Sequence, residues 1–369
     1  MSNPSWWPYR LPIEEALKKS VVLVVGVVIG ANVIEHIWKP METNINKLTM
    51  REKEPAEAVT PISDVAPSDI DHYGGGSSDS DDGLNGGVNE FKAVFKKYKK
   101  RRPPPDFRDV IDIRTSPLLQ SKSVFHSDEI TPEKSLIAEK LGLIPLSEWR
   151  VFWFPDRRGL YFLPGLLKKE NSGVWLKRAF HYAQPPNITN LTIHGKDVVT
   201  DPSLLTKGLR WTTLGVEYDW NTKEYPPSGR PVPEELAQLG NLISSSLNLG
   251  DMRPDATILN YYPPKSALSP HVDKSERSNA PLISMSLGQT AVYLSGAVTL
   301  SEPPIPLWLR NGDFLIMHGD QRLVYHAIPC IGPRGQTETF ESMDDSEPSL
   351  ITEFLNCSRV NFTIRQVNP

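Results

Sequence analysis

Near the C-terminus runs Arg359-Val360-Asn361-Phe362-Thr363-Ile364-Arg365, seven residues that alternate without a break. Val360, Phe362 and Ile364 fall on one side of an extended chain, and Arg359, Asn361, Thr363 and Arg365 on the other. Successive side chains of a strand point to opposite faces, so this is an amphipathic strand. Its polar face has two readings. It is simply solvated, or it is turned inward, where two planar guanidinium forks and an amide suit a small dicarboxylate. A second donor set precedes it in Ile258-Leu259-Asn260-Tyr261-Tyr262, with Asn260 and Tyr262 sharing a face.

Between these two stretches lies His271-Val272-Asp273. Residues i and i+2 of a strand project from one face, so the imidazole and the carboxylate can converge on one ion. His326, within Arg322-Leu323-Val324-Tyr325-His326-Ala327-Ile328-Pro329, is a third donor on a segment of strand character, and His318 is an alternative. Two histidines and a carboxylate on one side of a metal form the facial triad of non-haem Fe(II) oxygenases. Alone, the His-x-Asp pair is a weak sign, and a hydrogen-bonded core histidine accounts for His326 equally well.

The remaining sequence divides by charge. The chain has 369 residues, 34 of them Pro, against a usual share of roughly 5%. Its net charge of −4 excludes a histone-like polycation. Residues 1–88 carry 7 basic and 13 acidic side chains and residues 89–369 carry 33 and 31, so an acidic segment of −6 precedes a region of +2. Two cysteines, Cys330 and Cys357, cannot build a disulfide framework or a four-ligand zinc site. Such usage fits a reduced, intracellular protein.

Residues 1–50 form an extension that contains an uncharged apolar run at 20–34. A helix of that length is short of a roughly 30 Å hydrocarbon core. Membrane anchor, partner-packing helix and targeting segment all stay open. Residues 51–88, with a Gly/Ser/Asp tract, read as a disordered tether. At 89–102 the pattern changes: Phe91, Val94, Phe95 and Tyr98 take helical spacing behind the N-cap candidate Asn89, and Pro103 ends the run. Lys96, Lys97, Lys99 and Lys100 crowd its other face. That face is either solvated or a phosphate contact.

Taken in order, Asn-x-Tyr, His-x-Asp, the distal His and Arg-x-Asn-x-Thr-x-Arg resemble the AlkB family of Fe(II)- and 2-oxoglutarate-dependent dioxygenases. Leu209–Thr213, Tyr218-Asp219-Trp220, Leu282–Gln289 and Asn311–Met317 fit the same pattern, and 89–369 is most similar to the eukaryotic AlkB homologue 1 branch. The resemblance implies an α+β fold: a double-stranded β-helix (jelly-roll) core, about 209–369, with flanking helices, behind a disordered N-terminal extension. It implies Fe(II) on His271, Asp273 and His326, and 2-oxoglutarate on Asn260, Tyr262, Arg359, Asn361 and Arg365, with O₂ as the other substrate. Trp211 and Tyr218 stand where the family contacts its substrate, although both also suit a barrel core. Asn311-Gly312 reads as a two-residue hairpin turn between two strands. Pro233–Leu247 reads as a flanking helix. The segment between His326 and Arg359, rich in Gly, Ser and acids, reads as an inserted surface loop. Ser275 replaces the family's acidic residue two positions after the metal Asp, and Val216 an expected aromatic.

The implied activity is oxidative demethylation of a nucleic-acid base, N1-methyladenine in tRNA or N6-methyladenine in DNA, or oxidation of 5-methylcytosine, with succinate, CO₂ and (from demethylation) formaldehyde as products. The alternatives are a protein-directed oxygenase such as a histone demethylase, and a membrane-tethered binding module with a dead site. The branch implies mitochondrion or nucleus, and a monomer is expected. Of the Asn-x-Ser/Thr sequons at Asn187, Asn190, Asn356 and Asn361, the last is an expected cosubstrate ligand, which argues against a glycosylating compartment.

Overall fold

The computed structural model describes residues 89–341 and 350–369. The expectations for the apolar run 20–34 and the tether 51–88 lie outside them. Among the described residues no helix is long and apolar enough to cross a membrane.

The helices are α1 (Glu90–Lys99), α2 (Pro132–Lys140), α3 (Ser172–Tyr182), α4 (Leu204–Lys207), α5 (Glu234–Ser246) and α6 (Leu350–Cys357). The strands begin with β1 (Gln120–Ser123), β2 (Arg150–Trp153), β3 (Leu160–Leu163), β4 (Ile188–Thr189) and β5 (Trp211–Gly215). Eight more follow: β6 (Ala256–Tyr262), β7 (Leu268–His271), β8 (Leu282–Gly288), β9 (Ala291–Ser295), β10 (Ile305–Leu309), β11 (Phe314–Met317), β12 (His326–Ile331) and β13 (Arg359–Arg365). These eight split between two sheets. In the larger sheet the order runs β1-β2-β3-β11-β8-β13-β6-β5-β4, and in the smaller β10-β9-β12-β7. The first strand of the eight, β6, pairs with the last, β13, and the pairings among the eight are antiparallel. That is the double-stranded β-helix, a jelly roll, with β1–β5 extending one sheet.

Packing follows from alternation along the strands. Val360, Phe362 and Ile364 of β13, with Leu259 and Tyr261 of β6, join the larger apolar cluster with α3 and α5. Trp175 of α3 meets Phe362 edge-on, ring centroids 5.6 Å apart. The opposite faces turn into the barrel, where Tyr262, Leu268, Tyr293, Leu309, Leu315 and Ile328 form a second cluster. Burial therefore decides between the two readings of the β13 polar face: Arg359 and Arg365 are 1% and 3% exposed.

Helix α1 forms as its spacing dictates. Asn89 caps it, its Oδ1 accepting from the Lys92 amide at 2.8 Å. Phe91, Phe95 and Tyr98 bury against Val292, Leu294, Trp308 and Ala327, so α1 covers the outer face of the smaller sheet.

Two expectations change. Asn311-Gly312 does make a turn, with Gly312 at φ +78° and the Asp313 amide bonded to the Arg310 carbonyl at 3.1 Å. It is no hairpin, because β10 pairs with β9 while β11 pairs with β3 and β8 in the other sheet. The chain crosses between sheets there, and buried Asp313 holds the crossing through Arg114 and the Arg310 and Gly165 amides. Nor is the segment before Arg359 a plain loop. It opens with β12 and ends in α6, whose Ile351, Phe354 and Leu355 are buried. Phe354 packs edge-on against Phe180 at 5.2 Å.

Candidate active site

The last residue of β7 and the first of β12 are opposite one another in the smaller sheet, which places His271 against His326. One atom from each ring and a carboxylate oxygen of Asp273 lie within 4.8 Å of one another. The rings are oriented from behind. His271 Nδ1 lies 2.9 Å from the Ser269 carbonyl, and His326 Nδ1 lies 3.2 Å from the Val324 carbonyl. A carbonyl only accepts, so each Nδ1 carries the proton and each Nε2 keeps its lone pair for a metal. His318 is outside this cluster. Burial, then neighbouring His271, holds His326 below its ordinary value, at about 4, which favours the neutral ring.

Asp273 is 9% exposed, and burial by itself opposes its ionisation. The Arg365 guanidinium, 3.2 Å from Oδ1, together with neighbouring His326 and His271, overcomes that and holds the carboxyl well below the usual carboxylate range. Arg365 also pairs with Glu276, whose side chain is 1% exposed, and Glu276 accepts from Arg322 at 3.2 Å. Neither Glu276 nor Arg322 was evident from sequence. Both are ordinary surface types, and nothing in a linear pattern says that they are buried.

The neighbouring donor set lies on the paired strands β6, β13 and β8. Arg359 faces Tyr262, and Asn361 faces Asn260 on β6 and Ser286 on β8. Arg359 donates from Nη2 to Ser286 at 3.0 Å, while its Nε and Nη1 and the Asn260 Oδ1 have no hydrogen-bond partner. Buried polar atoms of this kind are normally satisfied. Arg359 also lies 5.0 Å from the Tyr262 ring centroid; burial pushes the phenol up to about 12, and the guanidinium beside it opposes that rise. Asn361 is already committed: its amide donates to Ser284 and the Met285 carbonyl, and its oxygen accepts from Thr363. Ser284 and Ser286 are the missed partners. Their signal is two hydroxyls at period two inside an apolar strand.

A cleft of about 240 Å³ ends on His271 and Asp273 and is walled by Tyr218, Trp220, Tyr225 and Lys223. Trp211 is not among its lining residues. It is 5% exposed and packs on Trp220, ring centroids 4.8 Å apart. Trp220 in turn meets Tyr218 edge-on at 4.8 Å. The Tyr225 hydroxyl is buried with no hydrogen-bond partner. Ser275, in place of the acidic residue, ties this wall down by donating to the Lys223 carbonyl at 2.9 Å.

Lys96, Lys97 and Lys99 stand on α1 and Lys100 just past its end, all away from this cleft's lining. Lys97 is paired with Asp109 at 2.5 Å, and the Lys99 ammonium lies 5.8 Å from the Phe95 ring centroid. Lys96 and Lys100 are exposed.

A family model described as the 2OG-Fe(II) oxygenase superfamily matches residues 159–365. The chain is 30% identical over 324 residues to the Mus musculus nucleic acid dioxygenase ALKBH1, covering 75% of this chain and 83% of that protein. It is 29% identical over 330 residues to the Arabidopsis thaliana DNA N(6)-methyladenine demethylase ALKBH1A, covering 75% and 92%. Against the Schizosaccharomyces pombe tRNA demethylase abh1 it is 36% identical over 203 residues, covering 54% and 65%. With that site on that fold, the chain belongs to the 2OG-Fe(II) oxygenase superfamily and, within it, to the AlkB family, on its ALKBH1 branch. It is an Fe(II)- and 2-oxoglutarate-dependent dioxygenase, and O₂ is its third requirement.

Proposed function

We propose that this dioxygenase oxidatively demethylates a nucleic-acid base, with His271, Asp273 and His326 as iron ligands. The observation that carries the reading is the placement of two imidazole nitrogens and a carboxylate oxygen within 4.8 Å of one another, lining one pocket with Arg359, whose Nε and Nη1 have no partner. The donor chemistry fits both groups: nitrogen and oxygen ligands for a divalent metal, and a buried guanidinium for a carboxylate. Arg359, with Tyr262 beside it, would hold a carboxylate of 2-oxoglutarate, and the Asn260 amide would donate alongside. Arg365 keeps Asp273 ionised through its ion pair and would also brace the cosubstrate. Asn361 with Ser284, and Ser286 through Arg359, keep the pocket's shape.

When bound, Fe(II), 2-oxoglutarate and O₂ hydroxylate a C–H bond, one oxygen atom going to the product and the other to succinate, with loss of CO₂. On an N-methyl group the product is a hemiaminal, which releases formaldehyde and restores the base. A base stacked in a duplex cannot enter a cleft this deep, so it arrives flipped or single-stranded. Tyr218 and Trp220 offer it aromatic surfaces, and the Tyr225 hydroxyl offers an unused hydrogen bond. Lys96 of α1 and Lys100 at its end contact the phosphates outside the cleft, Lys97 and Lys99 contributing less.

The names of the relatives agree in acting on nucleic acid and differ in tRNA or DNA, so the test is a succinate-release screen. Methylated tRNA stem-loops and single-stranded DNA with N6-methyladenine should stimulate turnover, and methyl-lysine peptides should not. Stimulation by the peptides alone would replace this reading with a protein-directed one.

A further inference from the structure

Arg322 belongs to none of the ligand sets above, yet it is 8% exposed and its charge is turned inward. It sits in the turn Gly319–Leu323, which carries the chain from β11 in one sheet to β12 in the other. Two residues later Val324 supplies the carbonyl that orients His326. Across the site Arg322 donates to Glu276, three residues beyond Asp273 on the other ligand-bearing loop. Glu276 passes the connection to Arg365 of β13, and Arg365 to Asp273. Charges alternate along this chain, Arg322, Glu276, Arg365, Asp273, so each buried ion has an opposite neighbour.

We infer that Arg322 is a positioning residue for the metal centre: through Glu276 it joins the two loops that deliver Asp273 and His326 and fixes the guanidinium that holds Asp273. Three segments, 271–276, 319–326 and 359–365, must be in register for the ligand atoms to meet. Backbone hydrogen bonds reach the edges of the two loops, Tyr325 with Gly296 and Ala297 and Arg277 with Val367, and between 272–276 and 319–324 the Arg322–Glu276 contact makes the connection. A buried charge left without its partner rearranges, so loss of Arg322 frees Glu276 to draw Arg365 away from Asp273. Groups behind a metal's ligands commonly set its affinity by ten-fold or more.

The inference rests on the iron reading above, and the experiment separates the two. Mn(II) binding to the full chain, in the presence of 2-oxoglutarate, is followed by loss of the free-ion electron paramagnetic resonance signal, beside thermal melting. Arg322→Met should weaken Mn(II) binding about ten-fold. Arg322→Lys, which keeps the charge and loses the fork, should recover part of that and is the variant to read if the first does not fold. Arg114→Met is the control: it breaks another pair to a buried carboxylate, Asp313, at the opposite end of β11. It should lower the melting temperature and leave Mn(II) affinity unchanged. Wild-type affinity in both Arg322 variants overturns the inference alone, as does an equal loss of affinity in Arg114→Met. Absence of Mn(II) binding by the wild type would overturn the iron reading and this inference with it.

Discussion

His271 and His326 are register partners across β7 and β12, their ring centroids 4.3 Å apart. The register at this pair decides whether the ligands meet, since a slip by one residue would turn one ring to the opposite face. Replacing either histidine by Ala, or Asp273 by Asn, should reduce succinate formation at least about a hundred-fold, since losing a ligand costs more than the roughly ten- to hundred-fold loss on removing a group behind one. Circular dichroism should show the fold intact. Turnover that persists in His271→Ala would remove it from the metal site.

Much of this centre was legible because strand alternation is visible in a linear sequence. Arg359, Asn361 and Arg365 on one side, with Val360, Phe362 and Ile364 on the other, already define a two-faced strand. Which face is buried was not legible, because helices from the first half of the chain, such as α3 with Trp175, decide it. The crossing at Asn311-Gly312 was misread for a related reason: a turn motif states that the chain reverses, and the partner strand states where it goes. Glu276 and Arg322 became visible only in three dimensions, since their meaning lies in each other.

Arg359 makes a cosubstrate prediction. Arg359→Lys keeps a positive charge but loses the planar fork. Charge-assisted hydrogen bonds contribute about 1.5–3 kcal/mol each, so the KM for 2-oxoglutarate should rise roughly ten- to a hundred-fold. The fall in kcat at saturating cosubstrate should be small. An unchanged KM would place 2-oxoglutarate elsewhere.

The cleft wall can be tested with an isosteric change. Tyr225→Phe deletes a buried hydroxyl that has no partner in the protein, so the melting temperature should hold or rise slightly. If the hydroxyl meets the base, the KM for nucleic acid should increase several-fold while cosubstrate KM stays put. Trp220→Ala should cost about 1–3 kcal/mol of nucleic-acid binding through lost stacking. A nucleic-acid KM that ignores both variants would move the base out of this cleft.

Helix α1 joins the packing to the proposed phosphate contacts. Charge reversal at Lys96 and Lys100 should weaken nucleic-acid binding and lower the slope of log affinity against log salt by about 0.7–0.9 for each phosphate no longer neutralised. Reversal at Lys97 should do less, because Asp109 already engages that ammonium. Phe91 fixes the helix beneath them. It is fully buried, and a Cβ added at Gly296 would come within 2.6 Å of its ring and 2.9 Å of the Tyr325 carbonyl. Phe91→Ala should therefore cost about 3–5 kcal/mol of stability, and Gly296→Ala should lift the helix by crowding it. If the lysines act from a docked helix, either substitution should flatten the salt dependence as charge reversal does. Full salt dependence in a Gly296→Ala protein whose α1 has become protease-sensitive would separate the helix from nucleic-acid binding.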